Sequence, residues 1–548
     1  MPPKRNGRRS KPYDKGEHQS EEQTANEMRE KLKDYGIQIS LVLLLAVGAL
    51  AGPSCRYTEW DTWSECTPNE RCMPKDRQTH ARFSFKPDPF KRYRDAGRIM
   101  GERMMAYKEQ LWSAPNTENT MESIVGAAVP CSGGSASGFR CQNVDLQSYL
   151  SLSALGATAS GARGNDIWGW TDPVTNDEIV VMGTNQGTSF VRITDPVNPQ
   201  VVAWLPTHTS SSSWRDMKVV NDHAFIGSEA AGHGLQVFDL TRLRGQTNMG
   251  TVSADAHYGQ FGNSHNIVSN PESNTIFVVG ATNDNRGCRA GLHMVDVSNP
   301  KNPTFAGCFS ADGYTHDAQC HFYNGPDTTY RGREICYNYN EDALTIVDVT
   351  NKASPVEISS TSYVGYAYTH QGWITEDHTV ILLDDEQDEQ GNWFDGSTVT
   401  YIWDVSDLDN PVLRNEYYAA HEAIDHNQYI RGSRTYQSNY EVGLRILQIN
   451  QASYSLTEVG YFDVDTGSTG GLVAFRGSWS NYPYFASGNI PVTSIETGLY
   501  IVKPDNMAMD ATYAAKLNGH QERSRQVLTE SAEGCNDVRE ERYCQATC

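Results

Sequence analysis

Four histidines recur along the chain at intervals of roughly fifty residues: His265, His316, His370 and His426. Each opens an apolar stretch, and each is followed by Asn, Asp or Gln: Asn266, Asp317, Gln371 and Asn427. Three further stretches open on related pairs, Asn165-Asp166, Arg215-Asp216 and Ser478-Trp479. A fold that gathers these openers makes a ligand set of His265, His316, His370 and His426 with Asp216 and Asp317. Neutral imidazoles beside carboxylates suit a transition metal, whereas oxygen donors alone suit calcium. The cofactor this pattern can take is therefore a divalent cation, with the four histidines as its ligands. The same pairs can instead hydrogen-bond successive repeats and fix their register. No nucleophile elbow, phosphate loop or His-Glu-x-x-His motif occurs, so no catalytic residue is assigned. Acidic turns carrying Glu229, Asp284, Glu341, Asp384 and Glu441 are expected around the same rim.

The elements that must position these residues are repeated strands. A strand closing on an acidic or polar residue returns as GTSFVRITDPVNP from Gly187, GLQVFDL from Gly234 and GLHMVDVSNPKNP from Gly291. It recurs as ALTIVDVTNKASP from Ala343, STVTYIWDVSDLDNP from Ser397, GLRILQIN from Gly443 and GLYIVKP from Gly498. Apolar residues alternate within each copy, as half-buried strands require. The Asp-rich tail then turns the chain. Seven openers and seven closers, with about four strands per unit, predict an all-β, seven-bladed β-propeller over residues 129–505. The last unit stops at its third strand. Residues 144–152 (VDLQSYLSL) precede the first opener and are expected to supply the missing outer strand, closing the ring.

Between Cys131 and Pro504 the chain resembles the choice-of-anchor B family, whose repeats are of the LVIVD type. The segments NDIWGWTDP from Asn165, YTHDAQC from Tyr314 and REICYNYNEDALTIVDVT from Arg333 carry the likeness. So do DHNQYIRGSRTYQSNYEVGLRIL from Asp425 and SIETGLYIVKP from Ser494. The resemblance implies a surface protein and no established reaction.

The net charge of −22 argues against nucleic acid or an anionic bilayer as the main partner. Residues 1–36 are polar, mixed in charge and expected to be disordered. The apolar run 37–52 fits either a cleaved signal peptide ending at Ala49-Leu50-Ala51 or a type II signal anchor. Any membrane contact is expected only through this segment. All twelve cysteines follow it, which points to an oxidising compartment and a secreted or cell-surface protein. Within the repeats, Cys131–Cys141 and Cys288–Cys308 close short loops, and Cys320–Cys336 ties neighbouring strands of one blade.

Outside the repeats, CRYTEWDTWSEC from Cys55, with Cys72, precedes the ring (53–75), and RSRQVLTESAEGCNDVREERYCQATC from Arg523 ends the chain (506–548). Together they resemble a thrombospondin type 1 repeat split in two. The resemblance implies Trp60 and Trp63 stacked between Arg523 and Arg525, a layered cation–π core. It also implies the pairs Cys55–Cys535, Cys66–Cys544 and Cys72–Cys548, and makes Trp60 a candidate for C-mannosylation. Arg77 and Arg82 compete for the cationic layers, and two unrelated cysteine-rich tails are the plainer alternative. Within the linker 76–128, residues 93–112 have a helical period and are expected to pack on the ring. The sequence thus reads as a recognition or adhesion protein that binds an extracellular protein or glycan. The alternative is an extracellular metal-dependent enzyme working at the histidine mouth.

Overall fold

The computed structural model describes residues 104–116, 121–390, 396–465, 471–506 and 508–510. The segments 1–36 and 37–52, Trp60, Trp63, Arg523 and Arg525 lie outside the described residues, as do the pairs Cys55–Cys535, Cys66–Cys544 and Cys72–Cys548.

Seven antiparallel sheets follow one another along the chain. Their innermost strands are Gly164–Thr171, Arg215–Val220, Asn266–Asn270, Asp317–Phe322, Thr369–Ile374, Asn427–Arg431 and Ser478–Asn481. We number the blades one to seven in that order. Strands run outward from each inner strand, so a blade is a meander with one apolar face against each neighbour. Packed faces of successive blades bury Ile226, Phe238 and Phe190 between blades one and two. Tyr337, Ile346, Leu383 and Trp403 fill the space between blades four and five.

Asp239, Asp296, Asp348 and Asp404 close their strands for a local reason. Each accepts a hydrogen bond from the backbone N–H two residues on, at 2.8–3.1 Å, and so starts the turn. Six blades also shift register between their third and fourth strands, for example at Met294/Val295 and Ile346/Val347. Such bulges increase the local twist that a closed ring of blades needs.

The ring closes through residues before the first blade. Strand Val144–Ser151 pairs with Gly498–Pro504 and forms the outer strand of blade seven. The end of the stretch read as a linker also reaches the ring, because Ile124 bridges Tyr149, and Val129, the first residue of the expected ring, bridges Leu146. Blade six gains an edge that the repeat pattern did not announce. Strand Phe139–Gln142 pairs with its outer strand, Cys141 opposite Phe462. Disulfide Cys131–Cys141 pins that addition, Cys288–Cys308 braces blade three, and Cys320–Cys336 joins directly opposed residues of blade four. Three such bonds fit an oxidising compartment. Among the described residues no helix is long and apolar enough to cross a membrane.

Candidate functional site

The seven inner strands start at one mouth of the central channel and end at the other. The polar openers therefore gather at the first mouth. Ring centroids of His265 and His316, and of His316 and His370, lie 4.2 Å apart, and those of His370 and His426 lie 4.6 Å apart. The four imidazoles form one continuous arc across blades three to six.

Their hydrogen bonds run from blade to blade. His316 Nδ1 donates to the His370 carbonyl and His370 Nδ1 to the His426 carbonyl, both at 2.9 Å; His426 Nδ1 donates to the Trp479 carbonyl at 2.6 Å. A carbonyl can only accept, so each Nδ1 carries the proton and each Nε2 keeps its lone pair. Burial and the neighbouring imidazoles hold His316 and His370 well below the ordinary histidine range, and burial brings His426 down to about 4. These are neutral rings whose Nε2 atoms can serve as ligands. His265 Nδ1 lies 2.5 Å from Glu229 Oε1.

Glu386, from the turn after the second strand of blade five, completes the group. Its carboxylate oxygens lie 3.6 Å from His370 Nε2 and 3.7 Å from His426 Nε2. His370, Glu386 and His426 bring their ligand atoms within 4.8 Å of one another, a spacing that suits a transition metal. Glu386 already has a cationic partner, however. The Lys108 ammonium donates to Glu386 Oε1, and Tyr440 donates to the same oxygen at 2.5 Å. Burial lowers the Lys108 pKa, while the Glu386 charge pulls it upward.

Lys108 reaches this point from helix 104–113. Met104, Lys108 and Trp112, spaced four apart, share the buried face of that helix. Tyr107 and Leu111 face outward, 56% and 38% exposed. Trp112 fills the mouth between Trp214 and Trp479, at 5.5 and 5.4 Å, and donates through Nε1 to the Phe475 carbonyl at 3.0 Å. The Lys108 ammonium sits 4.4 Å over the Phe475 ring. The helix thus closes the histidine mouth with an aromatic lid and a buried charge pair.

Asp216 and Asp317 do not join the histidines. They lie further down the channel with Asp166 and Lys218, whose ammonium donates to Asp216 at 2.6 Å. Each of the three aspartates also accepts the backbone N–H of the next residue, at 2.6–2.7 Å. Asp216 further accepts the Ile267 N–H of the next blade at 2.8 Å. Burial and the Asp216 charge push Asp166 up to about 7, and burial raises Asp317 as well. The acidic turns divide too. Asp284 holds His293 at 3.1 Å, whereas Asp384 and Glu441 are fully buried rather than on the surrounding surface.

The second mouth is open. A cavity of about 620 Å³ lies there, lined by Trp168, Trp373, Tyr429, Tyr482 and Tyr484 with Lys218, Asp317, Gln319 and His321. Part of the lining follows from the openers. Residues two beyond the second opener residue point to the same side of a strand. Trp168, Lys218, Gln319, Trp373 and Tyr429 all stand at that position. The opener pairs alone do not announce this column, although the strand period of two is sufficient to place it.

The LVIVD repeat matches residues 288–310 and 338–362, which span the third and fourth strands of blades three and four. No curated protein matches the sequence. Among solved structures, the chain is similar to the β-propeller domain of Cps50 (Swd1) from Myceliophteria thermophila. Identity is 10% and the TM-score 0.39, over 60% of this chain and 93% of that one. It is similar to a protein from Lactobacillus plantarum at 11% identity and a TM-score of 0.40, over 60% and 87%. A chain from the COPII outer coat vertex on membranes gives 11% and 0.42, over 63% and 84%.

Proposed function

We propose that this LVIVD-repeat propeller is a non-catalytic recognition protein of the extracellular space, of the choice-of-anchor B kind, that takes a glycan at its open mouth. The single observation behind this reading is the contrast between the two ends of the channel. One end is filled by Trp112 and Lys108, while the other keeps a cavity of about 620 Å³ walled by six Trp and Tyr rings. Aromatic walls with a few convergent polar groups are the usual make-up of a ligand pocket. Sugar rings offer the matching surfaces, an apolar C–H face for Trp168 and Trp373 and hydroxyls for Asp317, Gln319 and Lys218. The net charge of −22 favours neutral or cationic ligands over strongly anionic ones. A thrombospondin type 1-like module built on Trp60, Trp63, Arg523 and Arg525 would add a second binding surface for an extracellular protein.

Glycan-array screening of the full chain, followed by calorimetric titration, tests this reading. A neutral glycan should bind, and Trp373→Ala should weaken it at least tenfold while the melting temperature falls by only a few degrees. Absence of any glycan ligand, or binding that survives both Trp373→Ala and Trp168→Ala, would overturn it.

The second reading is an extracellular metal-dependent enzyme at the histidine mouth. It rests on the spacing of His370, Glu386 and His426. A stoichiometric transition metal in the purified chain would favour it. The Lys108 ammonium on Glu386 speaks against it.

A further inference from the structure

Three acceptors converge at the histidine mouth: Nε2 of His370, Nε2 of His426 and the Glu386 carboxylate. The Nδ1 protons of both imidazoles are spent on carbonyls of the next blade, so each Nε2 can only accept. At 3.6 and 3.7 Å the contacts between these nitrogens and the carboxylate are too long for hydrogen bonds. Glu386 is 0% exposed, and its Oε2 has no hydrogen-bond partner. Buried acceptors normally meet donors, and buried charges are paired or bind metal. Here only Glu386 Oε1 is served, by Tyr440 and Lys108.

The spacing of the three is that of a ligand set. Their ligand atoms lie within 4.8 Å of one another. Metal bonds of about 2.0–2.2 Å at a tetrahedral angle hold ligand atoms about 3.3–3.6 Å apart. The observed 3.6 and 3.7 Å need only a small closure. Lys108 stands in the way. Its ammonium makes one hydrogen bond, to Glu386 Oε1, and otherwise rests over aromatic rings, Phe475 at 4.4 Å and Trp112 and Tyr440 at 5.8 Å. An ammonium has three donors, yet this one serves neither imidazole.

We infer that His370, Glu386 and His426 form a transition-metal site that the Lys108 ammonium holds closed, so that metal and helix 104–113 compete for the mouth. Two imidazole nitrogens with one carboxylate select a transition metal over calcium or magnesium. Metal and ammonium exclude each other, because two cations at one buried carboxylate repel strongly. Lys108 and Trp112 share one face of the helix, so freeing the lysine from Glu386 also loosens the aromatic lid. Metal occupancy is thereby coupled to opening of the mouth. The inference rests on the three ligands behind the second reading but asserts no reaction. A stoichiometric metal in the purified wild type would favour that reading and overturn this one.

Zinc chloride is the probe. The full-length wild type and Lys108→Met, both stripped with a chelator, are titrated by calorimetry and melted with and without the ion. Lys108→Met should take one zinc per chain at least tenfold more tightly than the wild type, and zinc should raise its melting temperature by several degrees. Lys108→Met with Glu386→Gln should lose that zinc response, because an amide is a poor ligand. The wild type should take up zinc only at millimolar concentration, and with oxidation of Trp112 in hydroxyl-radical footprinting. Equal zinc affinity in wild type and Lys108→Met, or a zinc response that survives Glu386→Gln, would overturn the inference. If Lys108→Met does not fold, the wild type still decides: zinc bound with Trp112 protected, or no uptake at millimolar zinc, would overturn it as well.

Discussion

Truncation of the chain through Leu152 abolishes cooperative folding of the propeller. The deletion removes strand Val144–Ser151, the only partner of Gly498–Pro504 on its outer side among the described residues. Val144, Leu146 and Tyr149 are 0% exposed and Leu150 is 6% exposed. Burying side chains of this kind stabilises a fold by about 1.5–3 kcal/mol each, so four contribute roughly 6–12 kcal/mol. A typical domain has about 5–15 kcal/mol of net stability in all. The loss is therefore comparable with everything that holds the ring, and an unpaired edge invites aggregation besides. A truncation ending at residue 128 is the control. It sheds helix 104–113 but keeps the closing strand, and it should melt in one cooperative transition by calorimetry. Equal melting of the two truncations would show that the strand does not close the ring.

The second large effect comes from Lys108. Glu386 is 0% exposed, and the Lys108 ammonium is its cation. Removing one member of a buried pair leaves the other charge uncompensated, which typically costs about 3–5 kcal/mol. Lys108→Met should therefore destabilise the chain by about that amount in denaturant melts. Lys108→Met with Glu386→Gln should recover most of the loss, because the amide carries no charge and still accepts from Tyr440. If the double variant is no more stable than Lys108→Met alone, the pair is not what holds the helix in the mouth.

The two features differ in how far the sequence announces them. Ring closure is legible because the repeat is incomplete. Seven openers but only six complete outer strands leave one strand to find, and residues 144–152 carry the right alternation. The histidine arc is legible too, since one position of every repeat must fall at one place in every blade. Lys108 is not legible. Its spacing with Met104 and Trp112 marks a helix face, but nothing local tells that this face meets Glu386, 278 residues away. Glu386 itself sits in an acidic turn from which only Asp384 was singled out. Alternation shows which side of a strand is buried, not which of several acids reaches the channel. Asp216 and Asp317 are the second members of their opener pairs, and on sequence alone they stand beside the histidines. In a strand, neighbours face opposite ways, and the pleat sends them to the waist of the channel instead.

At the centre of this account is a channel sealed at its histidine end and open at its aromatic end. Hydroxyl-radical footprinting of the intact chain reads both mouths in one experiment. Trp112, His370 and His426, each no more than 3% exposed, should be protected, while the half-buried Trp373 and Tyr484 should be oxidised. Trp112→Ala should then expose His370 and His426 and leave Trp373 unchanged. Oxidation of His370 and His426 in the intact chain at the rate of Trp373 would mean that the helix does not seal the mouth, and would contradict the account.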